Sequence, residues 1–142
     1  MKKKILILTI LWIVKVEAQT STFSTIDSLF EKGRYKMALV QLDKLPLTFE
    51  SNFKKATIYE SIDNYKKMVD YLEKAIVYKE DYKAKLKLAK AYQRLKKSNK
   101  AIIIYEDILK KDSLNLVLKY QLGKLYLVSK KKLRKQLKHL KV

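Results

Sequence analysis

The chain has 142 residues and a formal charge of +19, with 33 basic side chains against 14 acidic ones and a single histidine. That length holds one compact domain or a short stack of repeats, not two sizeable cores. The absence of cysteine excludes disulfides, thiolate metal sites and thiol catalysis, and one proline with two glycines disfavours a turn-rich sheet and suits helices joined by short connections.

The charge surplus favours encounters with acidic partners or anionic surfaces. Only Arg34, Arg94 and Arg134 are arginines, so the charge sits mostly on lysine, a flexible point charge without the planar fork that reads bases and clamps phosphates. Lysine excess beside many Ile and Tyr also fits biased genome composition, and charge alone does not define a function.

In chain order, Lys2, Lys3 and Lys4 precede the apolar run Ile5 to Val14, and Val16, Glu17 and Ala18 precede Gln19. A basic start, a short apolar core and small residues before a cut are the pattern of a secretory signal peptide, here residues 1–18, with cleavage expected after Ala18 and a short mature tail at 19–23. Ten helical residues span only ~15 Å against a bilayer core of ~30 Å, which disfavours a permanent transmembrane span. Lys15 interrupts the pattern and leaves two alternatives: a membrane anchor formed by an uncleaved N-terminal segment, and a buried first helix. The expected location is export to the periplasm or cell envelope of a bacterium.

From Thr22 onward apolar residues return three and four positions apart with Lys and Glu between them, the pattern of amphipathic helices. The spacing predicts helices near 24–32 and 35–45, 50–62 and 65–77, 82–96 and 99–110, and 115–128 and 131–140. They group as segments 24–48, 49–81, 82–115 and 116–142 of one repeat domain, 24–142. Ser24 to Asp27 has the spacing of a capping box, which predicts a helix start there. Pro46 falls in the first link between hairpins, and Asp112 and Ser113 can cap the helix after them. Glu106 with Lys110 and Asp107 with Lys111 are one helical turn apart in the favourable order, so they are expected to pair along their own helix.

The segments resemble one another. Leu88, Ala89 and Tyr92 shifted by 34 residues land on Leu122, Gly123 and Tyr126, and stepping back 33 gives Ala56 and Tyr59. The same backward step from Ala101, Tyr105 and Ile108 gives Met68, Leu72 and Ala75, and a further 30 reaches Ala38, Leu42 and Leu45. Two helices of about 12 to 14 residues with two short turns fill roughly 34 positions, and each hairpin leaves an apolar face that only a neighbour covers. The packing set is therefore Ala38, Ala56, Tyr59, Met68, Leu72, Leu88, Ala89, Tyr92, Ala101, Tyr105, Leu122, Gly123 and Tyr126. Small residues let axes approach, and Tyr59, Tyr92 and Tyr126 fill adjoining space with their hydroxyls at a polar edge.

Leu88-Ala89-x-x-Tyr92 followed by Ala101-x-x-x-Tyr105, Leu122-Gly123-x-x-Tyr126, and the turn from Phe30 through Gly33 to Ala38 resemble tetratricopeptide repeats. The resemblance implies an all-α fold of antiparallel helix hairpins stacked as a right-handed superhelix, an α-solenoid, with a concave groove that holds peptides or proteins. Met68 stands where the family prefers a small residue, no glycine precedes Tyr65, and Lys135 and His139 stand where Ala101 and Tyr105 have their counterparts. The second helix of the fourth segment is poorly made for burial.

No catalytic constellation emerges. The lone His139 has no second metal ligand near it in sequence, the carboxylates are dispersed by helical periodicity, and Gly33 and Gly123 form no phosphate-cradling loop. No metal or cofactor is expected. The expected function is a non-catalytic scaffold that binds a protein or peptide bearing acidic side chains or a free carboxylate. In the family the first helix of each repeat faces the groove, which makes Asn52, Lys54, Tyr59, Lys85, Lys87 and Lys119 the candidate binding residues. Nucleic-acid binding is the alternative that the charge allows and the scarcity of arginine disfavours. Binding to an anionic membrane surface through Ser129 to Lys141 is a third reading, opposed by the expected docking of Leu133, Leu137 and Leu140 on the preceding helix.

Overall fold

The structure, a computed structural model, describes residues 22–139. The expected leader and most of the expected tail lie outside the described residues. Among these the secondary structure is entirely helical: α1, residues 22–31; α2, Tyr35–Asp43; α3, Phe49–Ser61; α4, Tyr65–Tyr78; α5, Tyr82–Arg94; α6, Ser98–Lys111; and α7, Leu116–His139. The described residues form two compact units, divided between Pro46 and Leu47.

In the first unit Ile26 of α1 and Ala38 and Leu42 of α2 are buried, and the rings of Phe30 and Tyr35 meet across the turn at 5.5 Å. The helix already includes residue 22, so Ser24 stands inside it and does not start it. A capping box occurs instead at α3, where the Thr48 hydroxyl accepts from the Ser51 N–H and the Ser51 hydroxyl accepts from the Thr48 N–H.

In the second unit each helix packs against its sequence neighbour, from α3 on α4 through to α6 on α7. One core runs through all five helices. It contains Ala56, Met68, Leu72, Leu88, Ala89, Tyr92, Ala101, Tyr105 and Ile108, with Leu118 and Leu125 of α7 at its end. Met68, the odd member of the small-residue series, is fully buried; its unbranched thioether chain suits an irregular gap.

The three hairpin turns share one backbone device. Gly33, Asp63 and Lys96 adopt left-handed conformations, with φ of 69°, 55° and 57°. In each case the next residue donates its N–H to the carbonyl five positions back: Arg34 to Leu29, Asn64 to Tyr59 and Lys97 to Tyr92. These are Schellman motifs, and glycine is the residue that adopts the required φ without steric cost. The second and third turns use Asp and Lys there, which explains why glycine did not mark them.

The counterpart of Lys96 one 34-residue period later is Lys130, which is helical. The turn expected near 129–131 is therefore absent, and α7 runs unbroken for 24 residues. Between Leu127 and Leu133 there is neither Gly nor Pro, and three consecutive lysines favour continued helix. Leu133 is 57% exposed, so it does not provide the docking contact expected of it. The side chains of Leu137 and Leu140 lie outside those described.

Candidate functional site

The sequence of α5 holds Lys83, Lys85, Lys87, Lys90 and Arg94 and no acid, and α7 has no acid in its full length. The helical carboxylates of this unit stand on α3, α4 and α6, as Glu50, Glu60, Asp70, Glu73, Glu106 and Asp107. Charge is thus segregated by helix: two basic helices alternate with helices that carry the acids.

Some of these cations are committed inside the fold. The Lys85 ammonium lies 2.5 Å from an Asp107 oxygen on α6 and 2.5 Å from a Glu80 oxygen in the loop before α5, while Lys111 reaches the same Glu80 at 2.9 Å. Hydrogen bonds from Lys85 and then Lys111 hold the Glu80 carboxyl down at about 2, and the Lys85 hydrogen bond lowers Asp107 as well. The bonds to Asp107 and Glu80 in turn push the Lys85 ammonium up. Lys87 pairs with Glu60 and so ties α5 to α3. The Tyr92 hydroxyl donates to Glu73 on α4; burial, then this carboxylate, raises its pKa. The expected pairing of Glu106 and Asp107 along their own helix gives way to contacts across helices, since Glu106 accepts from Tyr126 of α7 and Asp107 from Lys85.

The six candidate groove residues do not form one surface. Asn52 is buried, donates to the Thr48 carbonyl at 2.7 Å and leaves its Oδ1 without a hydrogen-bond partner, so it supports the start of α3. Tyr59 is half-buried and stacks on Tyr71 at 5.4 Å with 6° between the rings. Lys54 is half-buried. Lys85 faces α6 and Lys87 faces Glu60, leaving Lys119 as the exposed member of the set. Of the two lysines that recur at 34 residues, Lys85 is engaged by Glu80 and Asp107 and Lys119 is exposed.

A different set of residues is open to solvent. On α5, Lys83, Lys90 and Arg94 are exposed, with Leu86 half-buried among them; on α7, Val117, Tyr120, Lys124, Leu127 and Val128 are exposed. The same 34-residue step relates Lys83 to Val117, Leu86 to Tyr120, Lys90 to Lys124 and Arg94 to Val128. Each helix thus presents one apolar and basic stripe on equivalent positions. The Lys124 ammonium sits 5.4 Å from the centre of the Tyr120 ring, a cation–π contact that leaves its charge available. Leu86 and Tyr120, each with lysine beside it, were visible in the sequence, but their helical phase was not separable from that of the core.

A second basic feature is an open depression of about 700 Å³ where the α5–α6 turn meets α7, lined by Lys96, Lys97, Lys100, Lys130 and Leu133 and, among the described residues, by no carboxylate. Lys97 and Lys100 lean over the Tyr92 ring at 6.0 and 5.1 Å. Among the described residues no group of three or more His, Cys, Asp or Glu could hold a metal ion, and no helix is long and apolar enough to cross a membrane.

Hairpins at a period near 34, a shared turn device and a continuous core define an α-solenoid of the tetratricopeptide kind. A family model described as "SNAP: Soluble NSF attachment protein, SNAP" matches residues 13–131, and the chain belongs to that family. The match begins inside the segment expected to be removed as a leader. Among curated proteins, none matches the chain significantly. Solved structures share its fold. The second TPR domain of human RPAP3, solved in complex with the HSP70 peptide SGPTIEEVD, matches with a TM-score of 0.63 and 21% identity over 75% of this chain and 93% of its own. MamA matches with 0.65 and 21% over 85% and 80%. The first TPR of Spaghetti (RPAP3), bound to the HSP90 peptide SRMEEVD, matches with 0.62 and 19% over 77% and 93%.

Proposed function

We propose that the chain is a non-catalytic scaffold that binds an acidic segment of another protein along the basic and apolar stripes of α5 and α7. The observation that carries this reading is charge segregation. Lysine stands on every helix from α2 to α7, as compositional bias would place it, yet the acids leave α5 and α7 entirely and so leave those two helices uniformly basic. Exposed Leu, Val and Tyr between the lysines supply apolar anchors, and the exposed ammonium groups supply steering toward a negative partner. Two solved relatives in fold hold peptides ending in EEVD, which supports the acidic character of the ligand.

We further propose that this scaffold works in a bacterial cell envelope, a reading supported by the basic and apolar pattern of residues 1–18. N-terminal sequencing of the fractionated protein tests it: a chain beginning at Gln19 is expected, and an intact Met1 in the cytosol overturns it. For the binding reading, fluorescence anisotropy with end-labelled peptides that alternate acidic and apolar residues is expected to give saturable binding that weakens with salt. Lys90→Glu with Lys124→Glu should remove it. Tighter binding to single-stranded or duplex nucleic acid at physiological salt, with a steep salt slope, would replace this reading.

A further inference from the structure

The 34-residue step exposes an asymmetry between α5 and α7 that the stripes above do not use. On α5, the face bearing Lys85, Ala89 and Tyr92 is covered: Ala89 is fully buried, Tyr92 is 3% exposed, and Lys85 takes Asp107 from α6. The equivalent face of α7 bears Lys119, Gly123 and Tyr126. There Tyr126 is 47% exposed, Lys119 is exposed, and a Cβ built on Gly123 meets nothing within 4 Å. The other face of α7, through Leu118 and Leu125, is buried on the core as Ala84 and Ala91 are on α5. One helical face is therefore docked, and the face that takes the next helix in the repeat stands open because α7 continues straight.

From this we infer that the Lys119–Gly123–Tyr126 face is a docking site for one acidic amphipathic helix of a partner protein, seated as α6 is seated on α5. The covered copy of the face defines the chemistry of the occupant. α6 brings Ala101 and Tyr105 into the core and Asp107 to Lys85. The docking helix accordingly carries a small residue to approach Gly123, an apolar or aromatic residue one turn on, and a carboxylate that meets Lys119. Charge complementarity selects an acidic helix over the α7 of a second copy, which offers no acid to pair with these lysines. The absence of a side chain at Gly123 permits close approach of the two axes. This face is distinct from the stripe of Tyr120 and Lys124 and goes beyond the function proposed above.

The probe is a fluorescein-labelled peptide with the sequence of residues 98–111 in which Lys100, Lys110 and Lys111 are replaced by Glu, titrated with the full chain in an anisotropy assay. Saturable binding at micromolar concentration is expected. Gly123→Leu should weaken it at least 10-fold while leaving the circular dichroism spectrum unchanged, because the added side chain enters open space in the free protein. Lys119→Glu should weaken it at least 10-fold by a separate route, and Lys90→Glu should change it less than 2-fold. No saturable binding, or equal affinity in the Gly123→Leu variant, overturns the inference. So does a concentration-dependent dimer in light scattering that Gly123→Leu dissolves, which assigns the face to a second copy. Binding to vesicles of anionic lipid that Gly123→Leu removes, without peptide binding, overturns it in favour of a membrane surface.

Discussion

Leucine placed at Ala89 and at Gly123, two positions one repeat apart, is expected to act with opposite sign. Ala89 is fully buried in the core shared by α3 to α7. Adding an isopropyl group to the alanine methyl there forces neighbouring side chains off their rotamers, an overpacking cost of about 1–3 kcal/mol. Gly123 sits within a helix with open space where its side chain would stand. Replacing an exposed helical glycine with leucine gains roughly 0.5–1 kcal/mol of helix propensity and meets no steric opposition. For a domain of this size about 1 kcal/mol corresponds to roughly 4 °C in Tm. Ala89→Leu should therefore lower Tm by about 4–12 °C, and Gly123→Leu should raise it by about 2–4 °C, read from the 222 nm ellipticity on heating. If Gly123→Leu lowers Tm as Ala89→Leu does, the Gly123 face of α7 is covered in the isolated protein and the reasoning about repeat ends fails.

Further outcomes follow from single contacts. Lys96→Gly should raise stability by about 1 kcal/mol in urea unfolding, because it relieves a non-glycine residue at φ 57°; a loss would show that the Lys96 side chain contributes more than its backbone costs. Tyr105→Phe removes the donor that meets Gln93 Oε1 at 2.9 Å and should cost about 1 kcal/mol, whereas no change would mean that water serves Gln93 equally well. The Glu80 carboxyl is held at about 2, below its ordinary 4.5, by Lys85 and Lys111. A carboxyl with a lowered folded pKa contributes stability above its unfolded value and loses it as pH falls. Unfolding midpoints should accordingly decline between pH 4.5 and 2, and the decline should be shallower in Glu80→Gln; identical slopes would remove Glu80 from the acid sensitivity.

How far the sequence carried can be judged from particular residues. The helices and the period were legible because small residues recur near fixed intervals, Ala56 with Ala89 and Ala38 with Ala101, and all four are fully buried where helix axes approach. The fourth turn was not legible from the period alone, since Lys130 occupies a position that turns when Lys96 does. The outcome depends on whether a following helix offers enough apolar surface to fold back, and Lys135 and His139 do not supply it. The ion pair of Lys85 was not legible for a related reason. A lysine repeated at 34 residues is equally consistent with a groove and with an ion pair between paired helices, and only the position of Asp107, 22 residues away, distinguishes them. Charge segregation between helices was readable throughout once the helix boundaries were set, because it requires no side-chain geometry.

The central claim is that α5 and α7 together hold an acidic partner. It is tested most directly by placing a photo-crosslinking amino acid at Leu86 and, separately, at Tyr120 in the native host and identifying what is captured. One polypeptide bearing an acidic segment should be captured at both positions, and the purified pair should bind with an affinity that salt weakens and that Lys90→Glu with Lys124→Glu lowers at least 10-fold. Capture of nucleic acid, or a purified pair whose affinity is unmoved by that double reversal, would contradict the account.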